Sequence, residues 1–253
     1  MINTDAKIFS LALALRLKKA APELVSDEQT AFIEGRVIHE GTRLIDQVTF
    51  EMRKVGGRLV AIDFAKAFDS VEHDFLFHTL DKMGLGGNFL HMISTLLKGA
   101  NSAVMNNGKT SHYFPLQRSC RQGDCVSPLL FNLALEPLLR KLKEVIKGIK
   151  TAGGWAKIAA YADDLTIFLS KEDDLNEIIK ILNTFGSASG LKINIEKSEC
   201  ISFDVDPNRV GLKEPSTLCV TGVHHAKSKG KALEEANFEE AIQKMQKSSI
   251  CGK

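Results

Sequence analysis

Ile158-Ala159-Ala160-Tyr161-Ala162-Asp163-Asp164-Leu165-Thr166-Ile167-Phe168-Leu169 is the stretch that decides the fold. Two adjacent carboxylates interrupt a run that is otherwise apolar, which reads as two strands joined at a turn carrying both acids. Burying Asp163 and Asp164 unpaired is costly, and a bound divalent cation is the most economical compensation. The other reading of Tyr161-Ala162-Asp163-Asp164 is an exposed turn with two solvated acids, since charges usually face water. Asp173-Asp174 illustrates that second case: it opens the polar-faced helix expected over 172 to 186, where acids suit the dipole and no metal is needed.

A hundred residues earlier, Leu59-Val60-Ala61-Ile62 is a short apolar run bounded by glycines on one side and Asp63 on the other. That is the pattern of a buried strand ending at a polar site. Two-metal phosphoryl transfer needs about three carboxylates from separate strand ends converging on ions roughly 3.5 to 4 Å apart. Asp63, Asp163 and Asp164 are the candidates. Asp69 has two readings, a further ligand or the start of a capping box, and Asp69-Ser70-Val71-Glu72 favours the box, opening a helix over 70 to 83.

Helices are expected over 5 to 20, stopping near Pro22, over 40 to 55, ending before Gly56-Gly57, and over 88 to 98. Gln29 to Arg36 between the first two is loop-like. Asn106-Asn107-Gly108-Lys109 lies between strand-like runs at Ala103-Val104-Met105 and Tyr113-Phe114, a strong hairpin signal. Ser127-Pro128 opens an amphipathic helix to about Lys147, with Pro137 predicting a kink. Lys227 to Lys231 reads as a solvated loop before a last helix over 232 to 248.

The chain has 253 residues, 44% hydrophobic and 25% charged, and a net charge of +2, so it suits one sizeable core, and any basic channel must be local. Its five cysteines show no CxxC pair and no zinc-site spacing, which fits free thiols in a reducing compartment. The apolar stretch Ile8 to Leu15 has no cationic region before it and no cleavage site after it, and it is too short to span a bilayer.

Five blocks in order now resemble the reverse transcriptases of non-LTR retrotransposons, the long interspersed element type. Asp27 to Arg36 looks like the family's second block, and Asp63-Phe64-Ala65-Lys66-Ala67-Phe68-Asp69 like polymerase motif A. Arg121-Gln122-Gly123-Asp124 with Ser127 to Asn132 resembles motif B, Tyr161 to Asp164 motif C, and Gly190 to Ser198 motif D. The resemblance implies an α+β right-hand polymerase palm, an antiparallel sheet flanked by helices, with fingers and palm over residues 1–206. Residues 207–253 would hold a primer-grip remnant and the start of the thumb. Leu218 to Val223 looks like a degraded form of that grip.

The resemblance also implies roles. Asp63, Asp163 and Asp164 would bind two Mg2+ ions, with the Phe64 carbonyl as an extra ligand. Phe68 would be the steric gate that excludes a 2′-hydroxyl, although without the resemblance it reads as a core phenylalanine. Gln122 and Gly123 would contact nucleotide and template. Arg36 would contact phosphate or support its loop. Lys197 would protonate pyrophosphate or simply be solvated. The expected partners are an RNA template, a DNA primer or target and deoxynucleoside triphosphates, within an intracellular retroelement ribonucleoprotein in nucleus or cytoplasm. Ser119 departs from the pattern, standing where glycine is common, as does Cys125 after the motif B acid. Part of the fingers, most of the thumb and an endonuclease domain are expected to lie outside the chain. The rival reading is a truncated, inactive relic that retains weak nucleic-acid binding.

Overall fold

The structure is a computed structural model that describes residues 4–98, 101–121, 123–206, 210–220 and 223–226. In chain order it holds α1 (Thr4–Leu24), α2 (Ile38–Val55), β1 (Gly57–Ile62), α3 (Ala67–Ser70), α4 (His73–Lys82) and α5 (Gly87–Leu97). Four two-residue strands follow, β2 (Asn101–Ser102), β3 (Met105–Asn106), β4 (Lys109–Thr110) and β5 (Phe114–Pro115). Then come α6 (Ser127–Val145), β6 (Ile149–Thr151), β7 (Gly154–Ala156), β8 (Ile158–Tyr161), β9 (Asp164–Leu169) and α7 (Leu175–Ser189). The last described strands are β10 (Glu199–Phe203), β11 (Thr217–Val220) and β12 (Val223–Ala226). The helix expected over 232 to 248, and the loop before it, lie outside the described residues.

The chain forms two compact units, each built from several stretches of sequence. One comprises Val37–Asp63, Leu142–Ile179 and the described residues from Asn194 onward. Its centre is a four-stranded antiparallel sheet in the order β10-β1-β9-β8. Leu59 lies directly opposite both Ile201 and Phe168, so the three form a row across the middle strands. Ile45, Val48 and Met52 recur at helical spacing on α2 and pack in one cluster with that row. Met52, Leu59 and Phe168 are fully excluded from water, so truncating any of them would open a costly cavity.

The other unit comprises the described residues through Arg36, Phe64–Lys141 and Lys180–Ile193. It is mainly helical, with Leu13 and Leu17 of α1, Leu76 and Leu80 of α4, Ile93 and Leu97 of α5, and Leu130 and Phe131 of α6 all fully buried. The buried carboxylate of Glu136 on α6 takes hydrogen bonds from the Ser26 amide at 3.0 Å, the Ser26 hydroxyl at 2.5 Å and Arg140 Nε at 2.7 Å.

Three local expectations are corrected. The first helix does not stop near Pro22 but runs to Leu24. Proline in the last turn forfeits one backbone bond, and the exposed carbonyls there find another donor in Arg36. The capping box at Asp69 does not form either. A single turn, α3, ends at Ser70, Val71 is extended, and α4 starts afresh after Glu72, which makes no side-chain cap. Long-range bonds take over: the Glu72 amide donates to the Ser189 carbonyl at 2.9 Å, and its carboxylate pairs with Arg118 at 3.0 Å. Finally, α7 begins at Leu175 rather than 172, because Asp173 turns inward to accept from the amides of Lys147, Gly148 and Ser170, and Asp174 caps the amide of Asn176.

Among the described residues, Cys120, Cys125, Cys200 and Cys219 are thiols not joined in disulfides. Burial, with Asp124 adding to it, pushes the Cys120 thiol up to about 12. That thiol is therefore inert at neutral pH.

Candidate active site

The sheet register brings the three acids to one end. β1 and β9 are antiparallel with Ile62 opposite Leu165, so Asp63, just past the end of β1, lies beside the start of β9. β8 and β9 close as a hairpin with Tyr161 opposite Asp164, and Asp163 sits in the two-residue turn. Ala162 in that turn has φ +54, a left-handed conformation unusual for a residue with a Cβ. Asp63 and Asp163 are half-buried and Asp164 is exposed. Neighbouring atoms still strip water from the base of Asp164, and this desolvation, then the charges of Asp163 and Asp63, hold its carboxyl above the usual range.

Among the described residues, no three or more His, Cys, Asp or Glu side chains close into a ready-made metal cage. The donor set nonetheless fits a hard divalent cation: three carboxylates share one sheet end, and desolvation together with the charges of Asp163 and Asp63 raises the proton affinity of Asp164. Phe64, the next residue, is buried, and its backbone pairs with Ile193.

Asp63 is held by residues whose role is not legible in the sequence. The Asp63 amide donates to the Ser198 hydroxyl at 3.0 Å, and the Asp63 carbonyl accepts from the Asn194 amide at 2.8 Å. Ser198, fully buried, donates its own O–H to the Asn194 carbonyl at 2.8 Å. The turn 194–198 thus clamps the backbone that carries the carboxylate. Lys197 lies on this turn, exposed. The only hint in the sequence was that Ser198 closes the Gly190 to Ser198 block, and a serine there looks like any surface hydroxyl.

Phe68 belongs to the helical unit. Its half-buried ring stacks on fully buried Phe131 with centroids 4.4 Å apart, and its carbonyl accepts from the Cys120 amide at 2.7 Å. Phe131, which has no role legible in the sequence, is what fixes the plane of the Phe68 ring. Gly123 is exposed with φ +82, a conformation that explains glycine there without any need for close packing. Gln122 lies outside the described residues. Gly190, at φ +83, is required for a different reason: a Cβ there would collide with the Ser70 carbonyl.

Arg36 is largely enclosed, its side chain 13% exposed, and its guanidinium donates to the carbonyls of Ser26 at 2.6 Å, Gln29 at 2.7 Å, Val25 at 3.0 Å and Pro22 at 3.3 Å. Those bonds spend the fork on its own loop, which makes Arg36 a support for that loop in this geometry. Arg36→Ala is expected to cost about 2–3 kcal/mol in urea unfolding, because four carbonyls lose one shared donor. Arg36→Lys should recover less than half, since a point ammonium cannot span them. A loss below about 0.5 kcal/mol, the scale of a surface substitution, would show that water replaces the guanidinium.

Ser119, where the resemblance expects glycine, has φ +102. Its backbone is held from two sides, with its amide on the Val71 carbonyl at 2.9 Å and its carbonyl 3.1 Å from His73 Nε2. Ser119→Gly is therefore expected to raise the unfolding free energy by about 1 kcal/mol, since a left-handed residue with a Cβ is strained by roughly that amount. An unchanged or lowered urea midpoint would contradict it.

The sequence profile described as reverse transcriptase (RNA-dependent DNA polymerase) matches residues 1–235. Among curated proteins, the transposon TX1 uncharacterized 149 kDa protein of Xenopus laevis is 31% identical over 202 residues, covering 78% of this chain and 15% of that protein. The retrovirus-related Pol polyprotein from type-2 retrotransposable element R2DM of Drosophila melanogaster is 32% identical over 148 residues, 58% of this chain and 14% of that protein. The chain thus spans about a seventh of the length of these relatives. Among solved structures, apo telomerase from Candida tropicalis truncated from its C-terminal domain superposes with TM-score 0.62 at 11% identity, covering 86% of this chain and 44% of that one. At that identity the likeness speaks for the fold, the α+β architecture expected from the sequence.

Proposed function

The chain belongs to the reverse transcriptase (RNA-dependent DNA polymerase) family, that of the non-LTR retrotransposons, and from that premise we propose that it adds deoxynucleotides to a primer 3′-end on an RNA template. The observation that carries the proposal is the convergence of Asp63, Asp163 and Asp164 at one sheet end, with Asp164 raised by desolvation and by the other two. Divalent-metal use is general in this family, and magnesium is the ion we propose here. When bound, two such ions would supply positive charge at the attacking and leaving oxygens.

The chain's own residues then have these tasks. Asp63 and Asp163 present the shared carboxylates, Asp164 completes the set, and the Phe64 carbonyl adds an oxygen. Ser198 and Asn194 hold the Asp63 backbone in place. The primer 3′-oxygen bonds to the α-phosphorus of the incoming nucleotide, the bond from that phosphorus to pyrophosphate breaks with its electron pair leaving on pyrophosphate, and the hydroxyl proton passes to solvent water. Lys197 is assigned the return of a proton to pyrophosphate. Phe68 discriminates against the 2′-hydroxyl, and Gln122 and Gly123 meet nucleotide and template. Template and primer are held mainly through phosphates, so binding is salt-dependent. From the retrotransposon setting of its relatives we place this work in a ribonucleoprotein in nucleus or cytoplasm; no described helix is long and apolar enough to cross a membrane.

The test is primer extension on an RNA template by the 253-residue chain at low salt with magnesium and deoxynucleotides. Short, distributive products that disappear in EDTA are expected. No incorporation at any salt, with nucleic-acid binding retained, would favour the inactive relic instead.

A further inference from the structure

Between Asp81 and Asp124 the chain contains no acid at all, while it carries Lys82, Lys98, Lys109, Arg118 and Arg121. This stretch is net +5 in a chain of net +2, so the remainder is net negative. Its middle is a narrow arm of two successive ladders, β2 with β5 and β3 with β4. Asn107 at φ +49 and Gly108 at φ +76 make the tight turn at its tip. Asn101 faces Pro115 in the outer ladder and Asn106 faces Lys109 in the inner one, so the registers differ by one residue and the returning strand bulges between Ser111 and Phe114.

An arm of two strands is marginal in water, and this one buries almost none of itself. Met105 and Tyr113 are 74% and 76% exposed, and Val104 and Phe114 are exposed too. Solvent-facing aromatic and apolar side chains on an acid-free, lysine-tipped arm call for a partner that is both polyanionic and rich in flat apolar faces. An apolar protein groove would satisfy the rings but leave the charge excess unanswered. Arg118 is paired with Glu72, Lys98 lies 4.9 Å over the Phe77 ring, Arg121 donates to the Leu96 carbonyl and Lys82 sits at the end of α4, so within the arm itself, residues 101–115, the charge is carried by Lys109, exposed at the tip.

We propose that the arm over residues 101–115 is a contact for a single-stranded stretch of nucleic acid, with Tyr113 stacking on an unpaired base and Lys109 meeting a phosphate. The proposal rests on the polymerase reading for the presence of such a strand. It concerns binding and not the chemical step.

The experiment is fluorescence anisotropy of the whole chain with a short labelled single-stranded oligonucleotide, RNA in one arm and DNA in the other, over a range of salt. Tyr113→Ala is expected to weaken binding about tenfold with an unchanged salt slope, because stacking is lost and no phosphate contact is. Tyr113→Phe should bind as the parent does. Lys109→Ala should lower the salt slope by about one unit. Loss in the RNA arm alone would assign the strand as template, in the DNA arm alone as primer or target, and loss in both supports the shared chemistry. Unchanged binding in both variants, with circular dichroism intact, overturns the proposal. So does absence of binding by the parent at low salt, or loss of self-association by Tyr113→Ala in sedimentation, which would make the arm an interface between copies. Asp163→Asn separates the two readings: it should bind without extending, and if it extends, the polymerase assignment fails while the arm stands or falls on the binding data.

Discussion

Asp163→Asn is expected to lower primer extension by about a thousandfold or more, while leaving the fold at least as stable as the parent. The loss follows from replacing a shared carboxylate by a neutral amide where charge must be balanced on both reacting oxygens. The gain in stability follows from the electrostatics. Desolvation, then Asp163 and Asp63, raise Asp164 above its ordinary value, so in the window between the unfolded carboxylate range and that raised value the folded state binds more protons than the unfolded one. Folding stability without divalent ion therefore falls as pH rises through the window, and the cost persists at neutral pH. Removing one of the repelling charges lessens it. Magnesium should likewise raise the melting temperature of the parent at neutral pH, and this shift should shrink as pH drops through the window and Asp164 takes up its proton. Single-turnover extension together with urea and thermal unfolding would check both halves. Extension by Asp163→Asn within tenfold of the parent would remove Asp163 from the reaction.

Phe68→Ala is expected to raise incorporation of ribonucleotides relative to deoxynucleotides by about a hundredfold, with deoxynucleotide use partly retained. A gate of this kind works by a clash, and a clash is only as strong as the ring is immobile. Phe131 supplies that immobility through a stack at 4.4 Å and 18° between planes. Phe131→Leu should therefore relax sugar discrimination part of the way although it leaves Phe68 in place. Phe131→Ala adds a cavity costing about 3–5 kcal/mol and is the less useful variant. The ratio of kcat/KM for the two sugars is the readout. An unchanged ratio in Phe68→Ala would return Phe68 to the role of a core aromatic that the sequence alone equally allowed.

Much of this molecule follows from short-range patterns. The apolar runs around Asp63 and around Asp163-Asp164 became β1, β8 and β9, and Asn107-Gly108 became a tight turn with both residues left-handed. Such features depend on neighbours one to four places away, so the residues themselves report them. The capping box at Asp69 shows the limit. Its sequence is right, but a box is worth about 1 kcal/mol, and bonds from Glu72 to Ser189 and Arg118 outweigh it.

The sequence by itself determined the family and the type of α1, α2, α4 to α7, β1, β8 and β9, and it singled out Asp63, Asp163 and Asp164 as the candidate acids. Only the tertiary structure decided how those acids are held and what surrounds them. Ser198 reaches the Asp63 amide across 135 residues of chain, and Arg36 spends its guanidinium on carbonyls of its own loop. Phe131 meets Phe68 only once α6 is packed. A hydroxyl, a guanidinium or a ring states what it can bond, but the partner is chosen by chain closure over long separations, where burial presses most polar groups to find a mate and leaves few geometries in which they do.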